Sequence, residues 1–243
     1  MAGHSKWNNI KRKKEKTDAQ RAKVFTKVGR EITVAVREGG PEPSSNGRLR
    51  DAIAKAKAAN VPGENIERII KKSSGDRTQY ERIVYEGYGP GGIAVIVEAL
   101  TDNRNRTASD LRLYFDKSKG NLGAPGCVSF MFAAKGVIVT GHSGLTEDEM
   151  IEDCFEAGAE DISFDTGVAE IVTDPSDFSA VREFFENKGY AFLSASIEFV
   201  PSNLTSVGDM AQLSQLSRLF ERLDDNDDVQ NYWHNLENAE DLP

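Results

Sequence analysis

The chain has 243 residues, of which 39% are hydrophobic and 28% charged, a composition typical of a folded globular protein and not of a disordered one. Uninterrupted apolar runs such as Ile93 to Val97 are far shorter than the roughly 20 residues that a membrane-spanning helix needs. The formal net charge is −9, yet residues 1–77 hold 19 Lys and Arg against 9 Asp and Glu, whereas residues 78–243 hold 11 against 30. Such asymmetry indicates that one part of the chain binds a polyanion.

The most basic segment is residues 3–23, with eight Lys or Arg against two acids. Three interpretations compete: a cleavable targeting peptide, a solvated run of charge, or a nucleic-acid contact surface. No apolar stretch follows the basic residues, which excludes a secretory signal, and the Lys-rich composition disfavours a mitochondrial presequence. We predict a basic arm up to about Lys16, followed by a helix whose start carries a capping box formed by Thr17 and Gln20.

Three helices follow the arm and predict a small helical domain. The first carries an apolar stripe from Phe25 to Val36, the second an apolar face that starts at Leu49, and the third begins near Pro62. Basic side chains outside these stripes form either an ordinary solvated exterior or a phosphate-binding surface, and the scarcity of acids among them favours the second interpretation. These residues are Arg48, Arg50, Lys55, Lys57, Arg68, Lys71 and Lys72.

From residue 78 the pattern changes to strands and glycine turns. Arg82–Gly89 and Gly91–Glu98 are predicted to be strands joined by a tight turn, and their glycines lack the spacing and context of a phosphate or dinucleotide loop. Beyond them we predict a polar loop at Thr101–Arg106, a helix opened by a second capping box at Thr107–Asp110, and a strand at Cys127–Phe132.

The remaining elements predict one α/β domain inserted in another. Between residues 136 and 200 the patterns follow the order β-α-β-β-α-β, which is the split ferredoxin-like arrangement. An amphipathic helix from Met210 to Leu223 lacks a local partner, so we expect it to return to the earlier domain. The predicted fold is α+β: an N-terminal three-helix domain followed by two α/β domains of ferredoxin-like type, one inserted in the other. The expected boundaries are residues 1–77, 78–133 with 205–243, and 134–204.

The loop of residues 101–107 is the second candidate binding segment. Asn103, Arg104, Asn105 and Arg106 can donate to phosphates or base edges, and the helix N-terminus after them offers free backbone amides to an anion. The competing interpretation is a capped loop whose polar side chains bond to their own backbone. An enzyme that uses this loop is a remote alternative, because the chain carries none of the common catalytic motifs.

No metal or cofactor site is predicted. The acidic run Asp224–Asp228 lacks the glycine and terminal glutamate of a calcium loop, so we interpret it as a solvated linker within an acidic tail. The three histidines show no metal-ligand spacing. Cys127 and Cys154 lie among apolar residues, as reduced, buried thiols of a cytoplasmic protein do. We therefore expect a cytoplasmic protein that is not an enzyme.

Four blocks of the sequence, Met1–Lys14, Ala59–Pro62, Tyr85–Gly92 and Thr101–Thr107, occur in the order found in a known family. On these blocks the chain resembles the YebC/PmpR family. The resemblance implies a helical N-terminal domain and two α/β domains, one inserted in the other, without enzyme activity. It further implies either a DNA-binding transcriptional regulator or a ribosome-associated translation factor that relieves stalled elongation.

The residues favour nucleic acid as the partner and leave RNA and DNA as alternatives. Trp7 suits stacking on an unpaired base, which is typical of RNA recognition, but it suits a core anchor equally well. The second helix offers few Asn or Gln side chains for reading a major groove. We favour ribosomal RNA and the ribosome, with DNA as the alternative, and expect no membrane or small-molecule partner. Besides the helical-domain and loop residues named above, the predicted contacts are His4, Lys6, Trp7, Asn8, Lys11, Arg12, Lys13, Lys14 and Lys16.

Overall fold

The structure, a computed structural model, describes residues 18–73, 75, 78–142, 144–165 and 167–243, with side chains described from Lys23 onward. The predicted basic arm and its nine contact residues lie outside these ranges. The described chain divides into two compact units. The N-terminal unit comprises the described residues up to Val128 together with Val207–His234 and Asp241–Pro243, and the inserted unit comprises Ser129–Ser206 and Asn235–Glu240.

Seven α-helices and eight β-strands are formed by the described residues, and none of these helices is long and apolar enough to cross a membrane. In chain order they are α1 (Asp18–Gly39), α2 (Gly47–Ala58), α3 (Gly63–Ser73), β1 (Glu81–Tyr88), β2 (Ala94–Thr101), α4 (Arg104–Lys117), β3 (Asn121–Leu122), β4 (Phe132–Gly141), α5 (Glu147–Ala157), β5 (Asp161–Asp165), β6 (Val168–Thr173), α6 (Phe178–Asn187), β7 (Phe192–Pro201), α7 (Met210–Asp225) and β8 (Val229–His234). The expected α+β fold is confirmed.

The first three helices pack as a small bundle around one apolar core. Ile32 of α1, Leu49 and Ala56 of α2 and Ile66 of α3 are all buried there, as the apolar stripes predict. Asn46 fixes the start of α2, because its side chain accepts the Leu49 N–H and donates to the carbonyls of Ala35 and Gly40. The turn between α1 and α2 is thereby tied to the end of α1, which orients the basic face of α2.

The sheet of the N-terminal unit is antiparallel, in the order β3-β1-β2-β8. Helix α7 buries Leu216, Leu219, Phe220 and Leu223, and the Phe220 ring stacks on His234 of β8 with centroids 4.6 Å apart. The expectation that this amphipathic helix returns to complete the earlier α/β domain is confirmed.

Three details of this unit differ from the sequence predictions. Helix α4 begins at Arg104 and not at Thr107, because Asn103 caps it by accepting the Arg106 N–H at 3.0 Å. The predicted strand at Cys127–Phe132 is wrong up to Met131: the N–H groups of Gly126 and Val128 bond to the Glu86 carboxylate instead of a sheet ladder. The predicted acidic tail contains strand β8, which pairs with β2.

The inserted unit has the strand order β5-β6-β4-β7, all antiparallel, with α5 and α6 following β4 and β6 along the chain. This is the predicted split ferredoxin-like topology. Met150 and Phe185 are fully buried in its core. Cys154 is buried too, and burial raises the pKa of its thiol to about 12, whereas Cys127 in the other unit is only half-buried.

Candidate nucleic-acid interface

The basic side chains predicted on α2 and α3 are all exposed, but four of them have partners within the bundle. Lys55 pairs with Glu31 at 2.7 Å, and Arg48 pairs with Glu38. Arg50 donates to the carbonyls of Pro43 and Ser44 at 2.8 and 3.1 Å, and Arg68 donates to the Asn65 side chain at 2.9 Å. These four contacts occupy part of the positive charge that the sequence shows, although exposed pairs of this kind are weak.

Three lysines of the bundle have no hydrogen bond or ion pair to the described residues: Lys57 near the end of α2, and Lys71 and Lys72 near the end of α3. A lysine in the last turn of a helix also complements the negative end of the helix dipole, which stabilises the helix modestly. The ammonium groups nevertheless remain exposed and free to approach phosphate oxygens. Among the predicted contacts on α2 and α3, these three lysines keep free ammonium groups.

The residues predicted as a polar loop lie at the N-terminus of α4. Asn103 is committed to the cap, while Arg104 is exposed and only 3.8 Å from Glu81. Asn105 is exposed and has no partner among the described residues. Arg104 and Asn105 are thus placed where they can contact a ligand, in the first turn of a helix whose backbone amides point outward.

Arg106 differs from its neighbours because it is held by carboxylates. Its Nη2 lies 2.9 and 3.0 Å from the two carboxylate oxygens of Asp228 and 2.8 Å from Asp102 Oδ1. These hydrogen bonds raise the pKa of Arg106, the bonds to Asp228 most strongly. Its guanidinium is therefore engaged inside the N-terminal unit, which favours a structural role over a contact with phosphate.

Asp228 is the centre of this polar cluster, although the sequence places it in a predicted solvated linker. That interpretation is wrong for Asp228, which is 3% exposed. It also accepts hydrogen bonds from Thr107 Oγ1 at 2.7 Å, Thr101 Oγ1 at 3.2 Å and Arg30 Nη1 at 2.5 Å. Burial alone would raise the pKa of Asp228, but the bonds from Thr107, Arg106 and Arg30 outweigh it, so the pKa is lowered.

A basic row on α1, absent from the predicted contacts, faces the same acidic turn. Lys23 pairs with Asp225 at 2.6 Å, Lys27 donates to the Asp224 carbonyl at 2.8 Å, and Arg30 reaches Asp227 and Asp228. The spacing i, i+4, i+7 of these three residues was the available sequence signal that they share one helix face. Residues 224–228 thus hold the basic row of α1.

A polar cavity of about 360 Å³ lies between these elements. Arg30 and Arg106 line it together with five aspartates, Asp102, Asp110, Asp225, Asp227 and Asp228, so its net charge disfavours a phosphate. Among the residues that the structure describes, no group of three or more His, Cys, Asp or Glu is arranged to hold a metal ion. Among the described residues, the predicted contacts that keep free side chains lie on α2, α3 and the start of α4.

Two family models match the chain along nearly its whole length. Residues 5–76 match the TACO1/YebC protein N-terminal domain, and residues 80–236 match the TACO1/YebC second and third domain. The chain belongs to the TACO1/YebC family. The resemblance stated from the four sequence blocks is confirmed, and the matched ranges meet between the helical bundle and β1.

Relatives in the TACO1/YebC family are similar over their full length. A "probable transcriptional regulatory protein" of Acetivibrio thermocellus is 56% identical over 238 residues, covering 97% of this chain and 98% of the relative. One from Ruminiclostridium cellulolyticum, with the same name, is 54% identical over 243 residues, covering 99% and 98%. These names support a regulator.

A solved structure shares the fold. The crystal structure of a conserved hypothetical protein from Aquifex aeolicus is 46% identical, has a TM-score of 0.83, and covers 92% of this chain and 93% of that chain. This likeness extends over nearly the whole of both chains.

Proposed function

We propose that the protein is a non-enzymatic regulator of gene expression that binds nucleic acid through phosphate contacts of its basic N-terminal part. The observation that supports this proposal is the set of free ammonium groups on the bundle. Lys57, Lys71 and Lys72 are exposed without a partner among the described residues, in a segment whose charge balance is +10 against −19 for the rest of the chain. Phosphates are the dense anionic partners that such a surface attracts.

We favour ribosomal RNA as the nucleic acid. The protein would bind it on the ribosome and relieve stalled elongation. The exposed side chains of α2 and α3 include no Asn or Gln, since Asn65 is half-buried and accepts a bond from Arg68. In a DNA major groove adenine is read by Asn or Gln side chains, which this surface lacks, whereas Arg and Lys contact guanine. A surface of lysines suits recognition by backbone and shape, as is common for structured RNA.

Duplex DNA is the second candidate, because the two relatives are named as probable transcriptional regulatory proteins. Arg48 and Arg50 near the start of α2 are the side chains that would have to read bases, after giving up their contacts with Glu38 and with the carbonyls of Pro43 and Ser44. Binding through phosphates alone would give weak sequence preference.

The deciding experiment compares two partners under the same salt. Purified protein is sedimented with ribosomes through a sucrose cushion at low and moderate salt, with and without DNase, and is also tested for mobility shift of promoter duplexes. We expect DNase-resistant co-sedimentation with ribosomes. A protein that stays in the supernatant but shifts one defined duplex would replace the RNA proposal with the DNA one, and binding to neither would refute both.

A further inference from the structure

Helix α5 of the inserted unit has a buried face and an unusually apolar outer face. Met150 and Cys154 are 0% and 5% exposed and pack in the core. On the opposite side Ile151 is 46% exposed and Phe155 is 90% exposed. Because Phe155 contributes almost nothing to the core, the stability of the helix does not explain why a phenylalanine stands at this position.

The carboxylates of α5 fall into two groups. Three have partners within the unit: Glu149 closes the capping box with Thr146, and Asp153 and Glu156 pair with Lys188 at 2.6 and 2.7 Å. The other three, Glu147, Asp148 and Glu152, are exposed and have no ion pair with the described residues. Two of these free carboxylates, Asp148 and Glu152, lie on the same outer side of the helix as Ile151 and Phe155.

The outer apolar and acidic side chains share one helical face. Asp148, Ile151, Glu152 and Phe155 are spaced i, i+3, i+4 and i+7, which places them in one row along α5. Acids near the start of a helix also favour its dipole, but that effect fades within the first turn and does not account for Glu152. We call these four residues the α5 face.

The side chains of the α5 face indicate what kind of partner it binds. Exposed aromatic and aliphatic side chains on a monomer are characteristic of interaction sites, and large aromatic residues supply much of the energy of such contacts. Free carboxylates beside them repel nucleic acid and anionic lipid, whereas they attract Lys and Arg. A complementary surface presents basic side chains around a small apolar hollow, which is the chemistry of a basic protein segment.

We propose that the α5 face docks a Lys- or Arg-rich segment of another protein, with Phe155 as the apolar anchor and Asp148 and Glu152 as the partners of its cations. The basic groups proposed for nucleic acid lie on α2 and α3, in the other unit. The two surfaces carry opposite charge, so one molecule can bind a polyanion and a basic protein by separate parts of its chain.

The test places a photoreactive benzoylphenylalanine at position 155 of the full chain, expressed in its native host, and identifies adducts by mass spectrometry. The matched control carries the same group at position 130, where Phe130 is 75% exposed in the same unit but outside α5. We expect position 155, and not position 130, to form an adduct with a protein whose cross-linked segment is rich in Lys and Arg. Adducts with nucleic acid, with a second copy of this chain, or with nothing above the control would overturn the proposal.

A synthetic peptide of the identified segment then gives the affinity. Phe155→Ser, and separately the pair Asp148→Lys with Glu152→Lys, should each weaken binding by about tenfold or more, whereas Phe130→Ser should leave it unchanged. All three changed positions of the α5 face lie away from the core, so the variants should fold. Circular dichroism checks this. Equal binding by the wild type and the α5 variants would place the contact elsewhere and refute the assignment.

Discussion

Two basic surfaces of the N-terminal unit differ in whether their cations have partners among the described residues. The row Lys23, Lys27 and Arg30 on α1 is held by residues 224–228, whereas Lys57, Lys71 and Lys72 have no such partner among the described residues. In sequence the two sets look alike, since each consists of cations on predicted helices, outside the apolar stripes. The difference shows that a count of Lys and Arg in a segment does not reveal which of these cations already have partners within the protein.

The energetic basis of the difference is burial. Asp228 is almost fully enclosed and accepts bonds from two guanidinium groups and two hydroxyls. Its removal would take away the buried acceptor that these four donors share, although Arg106 would keep Asp102 and Arg30 would keep backbone carbonyls. Lys57, Lys71 and Lys72 are exposed and have no partner among the described residues, so a phosphate could approach them without first displacing one. The first surface is held within the fold, and binding by the second is a prediction.

The largest expected effect on stability comes from removing Asp228, the centre of the polar cluster that holds Arg30. Asp228→Ala should lower the free energy of unfolding by about 2 to 4 kcal/mol, because it removes a buried acceptor shared by two hydroxyls and two guanidinium groups. Urea unfolding followed by Trp233 fluorescence in a Trp7→Phe background would report on β8, the strand next to Asp228. The matched variant Asp225→Ala removes only an exposed pair and should cost less than about 1 kcal/mol. Similar losses in the two variants would contradict the central role of Asp228.

The free surface is tested by binding. Replacing Lys57, Lys71 and Lys72 together with alanine should weaken binding to ribosomal RNA or duplex DNA about a hundredfold at 0.1 M salt, and lower the log–log salt slope by about 0.9 per lost contact on duplex. The control Lys23→Ala with Lys27→Ala removes two cations that residues 224–228 already hold, and should change affinity less than about twofold. The affinities of the triple variant and the control are measured by fluorescence anisotropy at several salt concentrations. If the control weakens binding as much as the triple variant, the distinction between held and free charge fails.

Two neighbouring arginines sharpen the comparison on a smaller scale. Arg106→Ala should lower the free energy of unfolding by about 1 to 2 kcal/mol, because its half-exposed guanidinium bonds to buried Asp228. Arg104→Ala should change stability by less than about 0.5 kcal/mol, because its 3.8 Å pair with Glu81 is exposed. For nucleic-acid affinity the order should reverse. Chemical unfolding and fluorescence anisotropy are measured on both variants. If the same variant has the larger effect on stability and on affinity, the prediction is wrong.

The smallest effect is a pH dependence. The pKa of Asp228 is lowered in the folded protein, so its contribution to stability is present above the unfolded pKa of about 3.9 and is lost as pH falls through the folded pKa. The stability difference between the wild type and Asp228→Asn should therefore be full at pH 6 and shrink at pH 3. A difference that stays constant over this range would show that Asp228 does not act through its charge.

Local patterns predicted much of the fold. The apolar stripe from Phe25 to Val36, the face that starts at Leu49 and the β-α-β-β-α-β order of the inserted unit all correspond to observed elements. Each depends on residues close together in sequence, where helical or strand periodicity is a direct signal. The same holds for α7, whose apolar row required a partner and found one in the first sheet.

The errors arose where distant residues decide. Thr107 has the spacing of a capping box, yet Asn103 takes the cap and Thr107 lies buried against Asp228, 121 positions away. Residues 224–228 look like solvated acids until Arg30 and Arg106 are brought to them. The free charge on α2 and α3 was a sequence prediction, but which cations remain free depended on pairs such as Lys55 with Glu31, which only the packing of the helices determines.

The position of β8 has a consequence for how the protein is made. The bond between Asn231 of β8 and Glu98 of β2 spans 133 positions, whereas the inserted sheet uses only strands between Phe132 and Pro201. A chain synthesised from its N-terminus therefore contains every strand of the inserted sheet while the first sheet still lacks its edge strand. Arg30 is synthesised early, and its partner Asp228 follows only after all the strands of the inserted sheet have been translated.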